Sequence, residues 1–301
     1  MSIEATEDKL FPDESYRRAF SERIRKEYPE CDVGMIGRSI LGKNIDFYKI
    51  GCGKKHILYV GAHHGMEYIT SSVLYDFIEH TLKNNRNDIL EFGINLRILL
   101  KQFTFWIIPC INPDGVELNL RGFTQNPLAD RQKKMNGDST DFSRWQANAR
   151  GVDLNHNYNY GFFEYKKTFE ATESISPGRT RYSGEYPESE PETKSLADFT
   201  RTIMPSLVLS LHTQGEEIYY SPESEKMAKL ARRCAERIGY KVSYAEKHAA
   251  YGGFCDFTGK ALSIPSLTLE LGSGNNPLPT SDLPKLSARF RNIGITLPVI
   301  L

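Results

Sequence analysis

The chain has 301 residues, enough for one large domain, and its 38 Lys and Arg residues are balanced by 38 Asp and Glu residues. This balance provides no basic field to attract nucleic acid or an anionic membrane, and no apolar run approaches the roughly 20 residues of a membrane-spanning helix. The five cysteines form no Cys-x-x-Cys pair and the N-terminus lacks the pattern of a signal peptide, so we expect a cytoplasmic protein without a disulfide framework. Export by a non-classical route stays open as the alternative.

Hydrophobic periodicity predicts strands alternating with helices after an amphipathic N-terminal helix around 15–24. The predicted strands are 44–50, 56–60, 104–109, 206–211 and 266–271, and the later helices are 68–83, 191–203, 224–239 and 283–293. The alternation indicates the α/β class, with a mixed, mostly parallel sheet flanked by helices on both faces. We predict a single domain over 1–301, with 1–35 as a helical extension packed on it. The polar region 112–187 lacks strong periodicity, and we expect the substrate cleft there.

The segment from Gly61 to Glu67 places an imidazole and a carboxylate three residues apart, directly after the apolar run 56–60. His64 and Glu67 therefore lie on the loop between a predicted strand and the next helix. Open α/β sheets build ligand sites at the carboxyl ends of strands, and a His and a Glu at this spacing can bind a metal ion. His63 lacks that spacing, and we expect it to pack behind the loop.

A catalytic zinc site needs three protein ligands, so a third ligand is expected elsewhere in the chain. His212 is the candidate because it ends the predicted strand 206–211 and precedes a polar, glycine-containing loop. Glu270 interrupts an apolar strand, where an unpaired carboxylate would be costly to bury. We expect it to face the metal site as the general base for the attacking water. Glu216 and Glu217 follow His212 closely, and we expect salt bridges there rather than metal binding.

Five short motifs occur in the order in which a known family carries them. They are His64-x-x-Glu67, Ile111–Gly115, Gly151–Asn155, Ser210–Thr213 and Thr268–Gly272. On these residues the chain resembles the zinc metallocarboxypeptidases of the carboxypeptidase A superfamily, the M14 peptidases. Four further segments, 64–70, 147–155, 189–193 and 212–220, make it most similar within that superfamily to the bacterial γ-D-glutamyl-meso-diaminopimelate peptidases. Those enzymes cut peptidoglycan stem peptides.

The resemblance implies a zinc peptidase domain of the carboxypeptidase, phosphorylase/hydrolase-type fold. It also implies one Zn²⁺ per chain, held by His64, Glu67 and His212. Glu270 would take a proton from the attacking water and deliver it to the leaving amine.

The carboxylate-binding position departs from the exopeptidase pattern. In the exopeptidases of the family, the asparagine corresponding to Asn155 is followed by an arginine, and the two hold the substrate's C-terminal carboxylate. Here His156 follows it. One imidazole cannot reproduce a bidentate guanidinium clamp, so we do not expect a strong preference for a free α-carboxylate. The alternative is that His156 merely packs in the loop.

The arginine that polarises the scissile carbonyl in relatives is also missing from its usual position. Many relatives carry it nine residues before the asparagine, where this chain has Gln146. Arg150 and Arg144 are the nearby cations, and either is a candidate to lend charge to the oxyanion or to fix the loop instead.

Two more candidates follow from the segment after residue 250. Cys255 takes the place of the pocket-floor side chain, and its neutral thiol indicates neither a basic nor an acidic preference; a buried, inert cysteine is the alternative. Tyr251 is a weak substitute for a tyrosine that relatives carry where this chain has His248.

These residues predict a zinc metallopeptidase that takes a peptide and hydrolyses γ-D-glutamyl-diamino acid bonds in peptidoglycan-derived peptides. The alternatives are an ordinary zinc carboxypeptidase, a zinc deacylase of small N-acyl amino acids and a binding module without turnover. His156 and Cys255 argue against the first, and the intact metal ligands with Glu270 argue against the last.

Overall fold

A computed structural model describes residues 11–173, 175–243 and 251–301. The strands are β1 (Asp32–Arg38), β2 (Asn44–Ile50), β3 (Lys55–Val60), β4 (Leu90–Glu91), β5 (Ile94–Asn95), β6 (Phe103–Ile108), β7 (Leu207–His212), β8 (Glu217–Ser221), β9 (Lys241–Val242) and β10 (Ser266–Glu270). Eight of them form one sheet in the order β1-β2-β6-β3-β7-β10-β8-β9, while β4 and β5 pair separately. The four central strands β6, β3, β7 and β10 are parallel, whereas β1, β2 and β8 join antiparallel. The predicted mixed, mostly parallel sheet is confirmed.

Helices cover both faces of this sheet. They are α1 (Glu14–Glu27), α2 (Ile69–Arg86), α3 (Leu96–Gln102), α4 (Pro113–Arg121), α5 (Ala129–Met135), α6 (Phe162–Tyr165), α7 (Ala171–Glu173), α8 (Pro191–Ile203), α9 (Glu225–Ile238), α10 (Phe254–Asp256) and α11 (Leu283–Ile300). Side chains of β3 alternate between two cores, with Ile57 and Tyr59 in the cluster under α1, α2, α9 and α11, and Leu58 and Val60 in the cluster under α8 and α10. None of the helices in the described part of the chain is long and apolar enough to cross a membrane.

Several elements were not predicted from periodicity. The edge strand β1 alternates poorly, with Met35 half exposed, and the predicted boundary of the N-terminal extension at residue 35 falls inside it. The region 112–187 contains the short helices α4 to α7. Helix α11 continues seven residues past its predicted end. Gly294 in this part of the helix permits close approach to α2, because a Cβ there would lie 2.8 Å from the Phe77 ring.

A buried carboxylate lies in the first turn of α8, against the turn that joins β1 to β2. Glu192 is fully buried, and its oxygens accept hydrogen bonds from the Ile40 amide (3.1 Å) and the Asn148 side chain (3.4 Å). Burial, followed by the negative charges of Asp114 and Glu190, raises the pKa of Glu192 to about 8. The folded protein therefore keeps a proton at Glu192 that the unfolded chain releases near 4.5.

We predict that Glu192→Gln reduces the loss of stability with rising pH. Between pH 4.5 and about 8 the folded state binds more protons at this site than the unfolded state, so the free energy of unfolding falls by at most about 1.4 kcal/mol per pH unit. Glutamine removes this titration, so the difference in unfolding free energy, variant minus wild type, should grow from pH 5 to 8. Denaturant unfolding at several pH values measures it. A difference independent of pH would contradict the assignment.

Candidate metal and catalytic site

Three central strands end side by side at one edge of the sheet, and each delivers part of the site. The backbone register pairs Val60 with Ser210 and His212 with Glu270, so the last residues of β7 and β10 are direct neighbours. The loop after β3 begins at Gly61 and enters α2 through a short 3₁₀ turn, Gly65–Glu67. Parallel pairing alone therefore brings the predicted residues to one place.

The structure brings His64, Glu67 and His212 together. One ligand atom of each lies within 4.8 Å of the others. The Glu67 carboxylate is 2.9 Å from His64 Nδ1 through one oxygen and 3.0 Å from His212 Nδ1 through the other. Glu67 and His212 are each only 3% exposed, so bulk water competes little for these atoms.

The loop that carries His64 is held by close backbone contacts. A Cβ at Gly65 would lie 2.4 Å from the Gly115 carbonyl oxygen, so no larger residue fits without a shift of the backbone. The Gly65 amide donates to the Gln146 carbonyl (2.8 Å), and the Asn112 side chain donates to the His63 carbonyl (3.0 Å). These contacts fix the loop before any ligand binds.

Neighbouring side chains orient the two histidines. Asp153 Oδ1 lies 3.2 Å from His64 Nε2, which leaves Nδ1 directed at Glu67. Carboxylates that bind the outer nitrogen of a metal-ligating histidine commonly fix its orientation in this way. His63 is fully buried, stacks on His212 and lies 2.9 Å from the Tyr158 hydroxyl, in the packing role expected for it.

Burial concentrates opposing charges in the site. Burial alone would raise the pKa of Glu67, but the imidazoles of His64 and His212 lower it to about 2. Burial would lower the pKa of His64, but Glu67 and Asp153 raise it well above its ordinary value. Burial, reinforced by the negative charge of Glu67, raises the pKa of Glu270.

The donor set fits zinc. Two imidazole nitrogens and one carboxylate are the ligands of many catalytic zinc sites, which keep a further position open for water or substrate. Here both Nδ1 atoms face the same buried carboxylate, and a second buried carboxylate, Asp153, contacts His64. His64, Glu67 and His212 are therefore the residues that would hold the ion.

A cleft of about 480 Å³ opens over this group. Its lining residues are His64, Glu67, Gln146, Asp153, Asn155, His156, Thr180, Arg181, His212, Thr213, Gln214, Tyr219, Glu270 and Asn276. The predicted Glu270, Asn155 and His156 thus share one cleft with the three metal-binding residues. Arg144, Arg150, Tyr251 and Cys255 are not among the described residues that line it.

Arg150 does not line the cleft that holds the metal-binding group. Its guanidinium pairs with buried Glu190 (2.9 Å) and donates to the Ser189 carbonyl (3.2 Å), beside a separate cavity. This ion pair directs it away from the cleft, which corrects the catalytic role predicted for it. Arg144 is exposed on the rim, where it donates to the Asn276 carbonyl (2.9 Å).

His156 is held in one orientation by two contacts. Its ring stacks on Tyr165 with centroids 4.1 Å apart, and its Nδ1 lies 2.8 Å from the Tyr251 carbonyl oxygen. Only Nε2 is left to meet a ligand. Tyr251 therefore contributes its backbone carbonyl to this region.

Burial raises the pKa of Cys255 to about 12, as expected for an inert thiol. His248 lies outside the described residues.

Sequence reasoning missed several lining residues. Gln146 occupies the position of the missing arginine, and its side-chain oxygen accepts a hydrogen bond from Thr180, which leaves its amide N–H groups as neutral donors. Asn276 contacts Glu67 at 3.5 Å and Thr213 at 3.0 Å. Arg181 comes from a loop without periodicity, so only the folded structure reveals it. Glu216 and Glu217 form the expected ion pairs, with Arg289 and Lys241.

Comparison with known proteins identifies a family and relatives of this chain. A family model described as zinc carboxypeptidase matches residues 18–289. The chain is 34% identical to the gamma-D-glutamyl-L-diamino acid endopeptidase 1 of Lysinibacillus sphaericus over 87% of this chain, and it spans 65% of that protein's length. It is 27% identical to carboxypeptidase B of Rattus norvegicus over 84% of this chain and 61% of that protein.

Among solved structures, thrombin activatable fibrinolysis inhibitor superposes with a TM-score of 0.77 at 20% identity, over 99% of this chain and 79% of that one. Carboxypeptidase A from Helicoverpa armigera superposes with a TM-score of 0.73 at 20% identity, over 97% of this chain and 74% of that one. These likenesses show the fold, and they confirm the predicted carboxypeptidase-type architecture.

Proposed function

The chain belongs to the zinc carboxypeptidase family, the M14 metallopeptidases, and we propose that it hydrolyses the γ-D-glutamyl bond to a diamino acid, meso-diaminopimelate, in peptidoglycan-derived peptides. The observation that carries the proposal is His156. At the position of the exopeptidase guanidinium, one imidazole stacks on Tyr165 and spends one nitrogen on the Tyr251 carbonyl. It cannot grip a C-terminal carboxylate through two parallel hydrogen bonds. The 34% identity to the Lysinibacillus sphaericus protein supports the same substrate class.

The metal-binding group, Glu270 and Gln146 each have a definable task in this cleft. A zinc ion in such a site would activate a water molecule and polarise the scissile carbonyl. Glu270, at the end of β10 beside His212, accepts the proton of the attacking water and returns it to the leaving amine. The amide of Gln146 donates to the developing oxyanion, as a neutral group in place of a cation.

Steady-state kinetics on matched peptides test the substrate proposal. We expect kcat/KM for a γ-D-glutamyl-meso-diaminopimelate peptide to exceed that for peptides ending in ordinary aliphatic or aromatic residues by about 10-fold or more, since a charge-assisted hydrogen bond contributes roughly 1.5–3 kcal/mol. His156→Arg should shift the preference toward the ordinary C-termini, because arginine supplies the missing donors.

The opposite preference in the zinc-loaded wild type would leave an ordinary carboxypeptidase. Hydrolysis of small N-acyl amino acids in preference to both peptide classes would instead identify a deacylase. Elemental analysis of each preparation ensures that differences in zinc content do not produce the result.

A further inference from the structure

The charged residues that line the cleft are mostly acidic. Glu67, Asp153 and Glu270 contribute carboxylates, and among the described lining residues Arg181 is the only arginine or lysine. Glu67 belongs to the metal-binding group, and Asp153 is engaged by His64. A substrate that carries a carboxylate therefore finds its guanidinium partner at Arg181.

The backbone of Arg181 is held in place against an unfavourable conformation. Its φ of 69° lies in the left-handed region that residues other than glycine rarely adopt. Its amide donates to Asp153 Oδ2 (3.1 Å), and its carbonyl accepts from the Tyr165 hydroxyl (2.9 Å). Asp153 binds His64 through its other oxygen. One carboxylate thus fixes Arg181 relative to the metal-binding group, and strained residues held this way cluster at functional sites.

The side chain of Arg181 is free to exchange partners. It is 63% exposed, and its ion pair at 3.0 Å is with Glu173, which is itself 48% exposed. Exposed ion pairs contribute little stability, so a substrate carboxylate can replace Glu173 at small cost. Arg150 differs, because its partner Glu190 is almost fully buried.

We propose that Arg181 forms a carboxylate-binding subsite distinct from the Asn155–His156 position. The inference rests on the proposed function, because it assigns the charge recognition that His156 no longer supplies. A γ-linked glutamyl residue reacts through its side-chain carbonyl and keeps its α-carboxylate free on the acyl side of the bond. The diamino acid carries carboxylates on the amine side. Both present the same planar group to a guanidinium.

Three matched substrates distinguish the glutamyl α-carboxylate from the diaminopimelate carboxylates as the group that Arg181 binds. They are the free γ-D-glutamyl-diaminopimelate peptide, the peptide with its glutamyl α-carboxylate amidated, and the peptide with its diaminopimelate carboxylates amidated. With the free peptide, Arg181→Gln should raise KM by about 10- to 100-fold with a smaller change in kcat, because a hydrogen-bonded charged pair is lost. With the substrate in which an amide replaces the recognised carboxylate, Arg181→Gln should leave KM almost unchanged from its wild-type value. Arg181→Lys should retain part of the affinity, since it keeps the charge without the fork.

Arg179→Gln is the matched control, because Arg179 is exposed in the same loop and does not line the cleft. It should leave KM unchanged. Glu173→Gln removes the competing carboxylate and should lower KM. Calorimetric binding of the free peptide and both amides to Glu270→Gln, with and without Arg181→Gln, gives a readout independent of turnover.

Equal KM values for wild type and Arg181→Gln on all three substrates would overturn the subsite while leaving the proposed function intact. An equal loss on all three would also overturn it, because a structural defect does not distinguish carboxylate from amide. A wild type that binds and cleaves none of the three, yet cleaves ordinary C-terminal peptides, would overturn the proposed function and the subsite with it.

Discussion

Replacing His212 by alanine is expected to leave the purified protein with far less than one zinc per chain and without detectable peptidase activity. The side chain ends β7 at 3.0 Å from Glu67, and removing it leaves only His64 and Glu67 from the metal-binding group. Two protein ligands do not make the three-ligand set of a catalytic zinc site. Elemental analysis after dialysis against metal-free buffer measures the loss, and wild type should retain one zinc per chain.

A second histidine controls for nonspecific effects. His56 lies at the opposite end of β3, packed against Trp106, so His56→Ala should keep a full zinc equivalent. Added zinc should raise the melting temperature of metal-stripped wild type and of His56→Ala, because a ligand that binds only the folded state stabilises it. It should not raise that of His212→Ala. A full zinc equivalent and normal turnover in His212→Ala would show that the ligand assignment is wrong.

The metal-binding group and Glu270 were predictable from sequence because each of these residues is tied to a local pattern. His64 and Glu67 share one short turn, and His212 and Glu270 each end an apolar strand. Parallel strands that pair in register then bring their ends together without further information. The short spacing between His64 and Glu67 and the strand-end positions of His212 and Glu270 were therefore enough to predict these residues.

The rest of the cleft depends on contacts between distant segments. Arg150 was wrongly placed because sequence gives no sign of its pairing with Glu190, forty residues away. Arg181 lines the cleft with its backbone held by Asp153 and Tyr165, and no periodicity marks that loop. Strands β1 and β8 were missed for a related reason: β1 lies at the sheet edge, and the mixed burial of both strands interrupts the continuous apolar run that marks the central strands.

Glu270→Gln is expected to fold, to bind zinc normally and to lose activity by about 10³-fold or more, within the range of general acid–base catalysis combined with proton delivery to the leaving group. Glutamine preserves the shape of the side chain at the end of β10 but cannot accept the proton. It also removes the repulsion between the carboxylates of Glu67 and Glu270, because Glu67 lies close enough to raise the pKa of Glu270. We therefore expect no loss of fold stability to account for the result.

The decisive measurement combines kcat with zinc content on the same preparation. In Glu270→Gln zinc should stay at one per chain while kcat falls and KM changes little, whereas in His212→Ala zinc and activity should disappear together. Gln146→Ala provides a graded comparison: it removes one neutral donor to the oxyanion, for which a loss of about 100-fold is expected. Near-normal turnover in zinc-replete Glu270→Gln would exclude the proton-transfer role, and the base would then have to be sought among the other carboxylates that line the cleft.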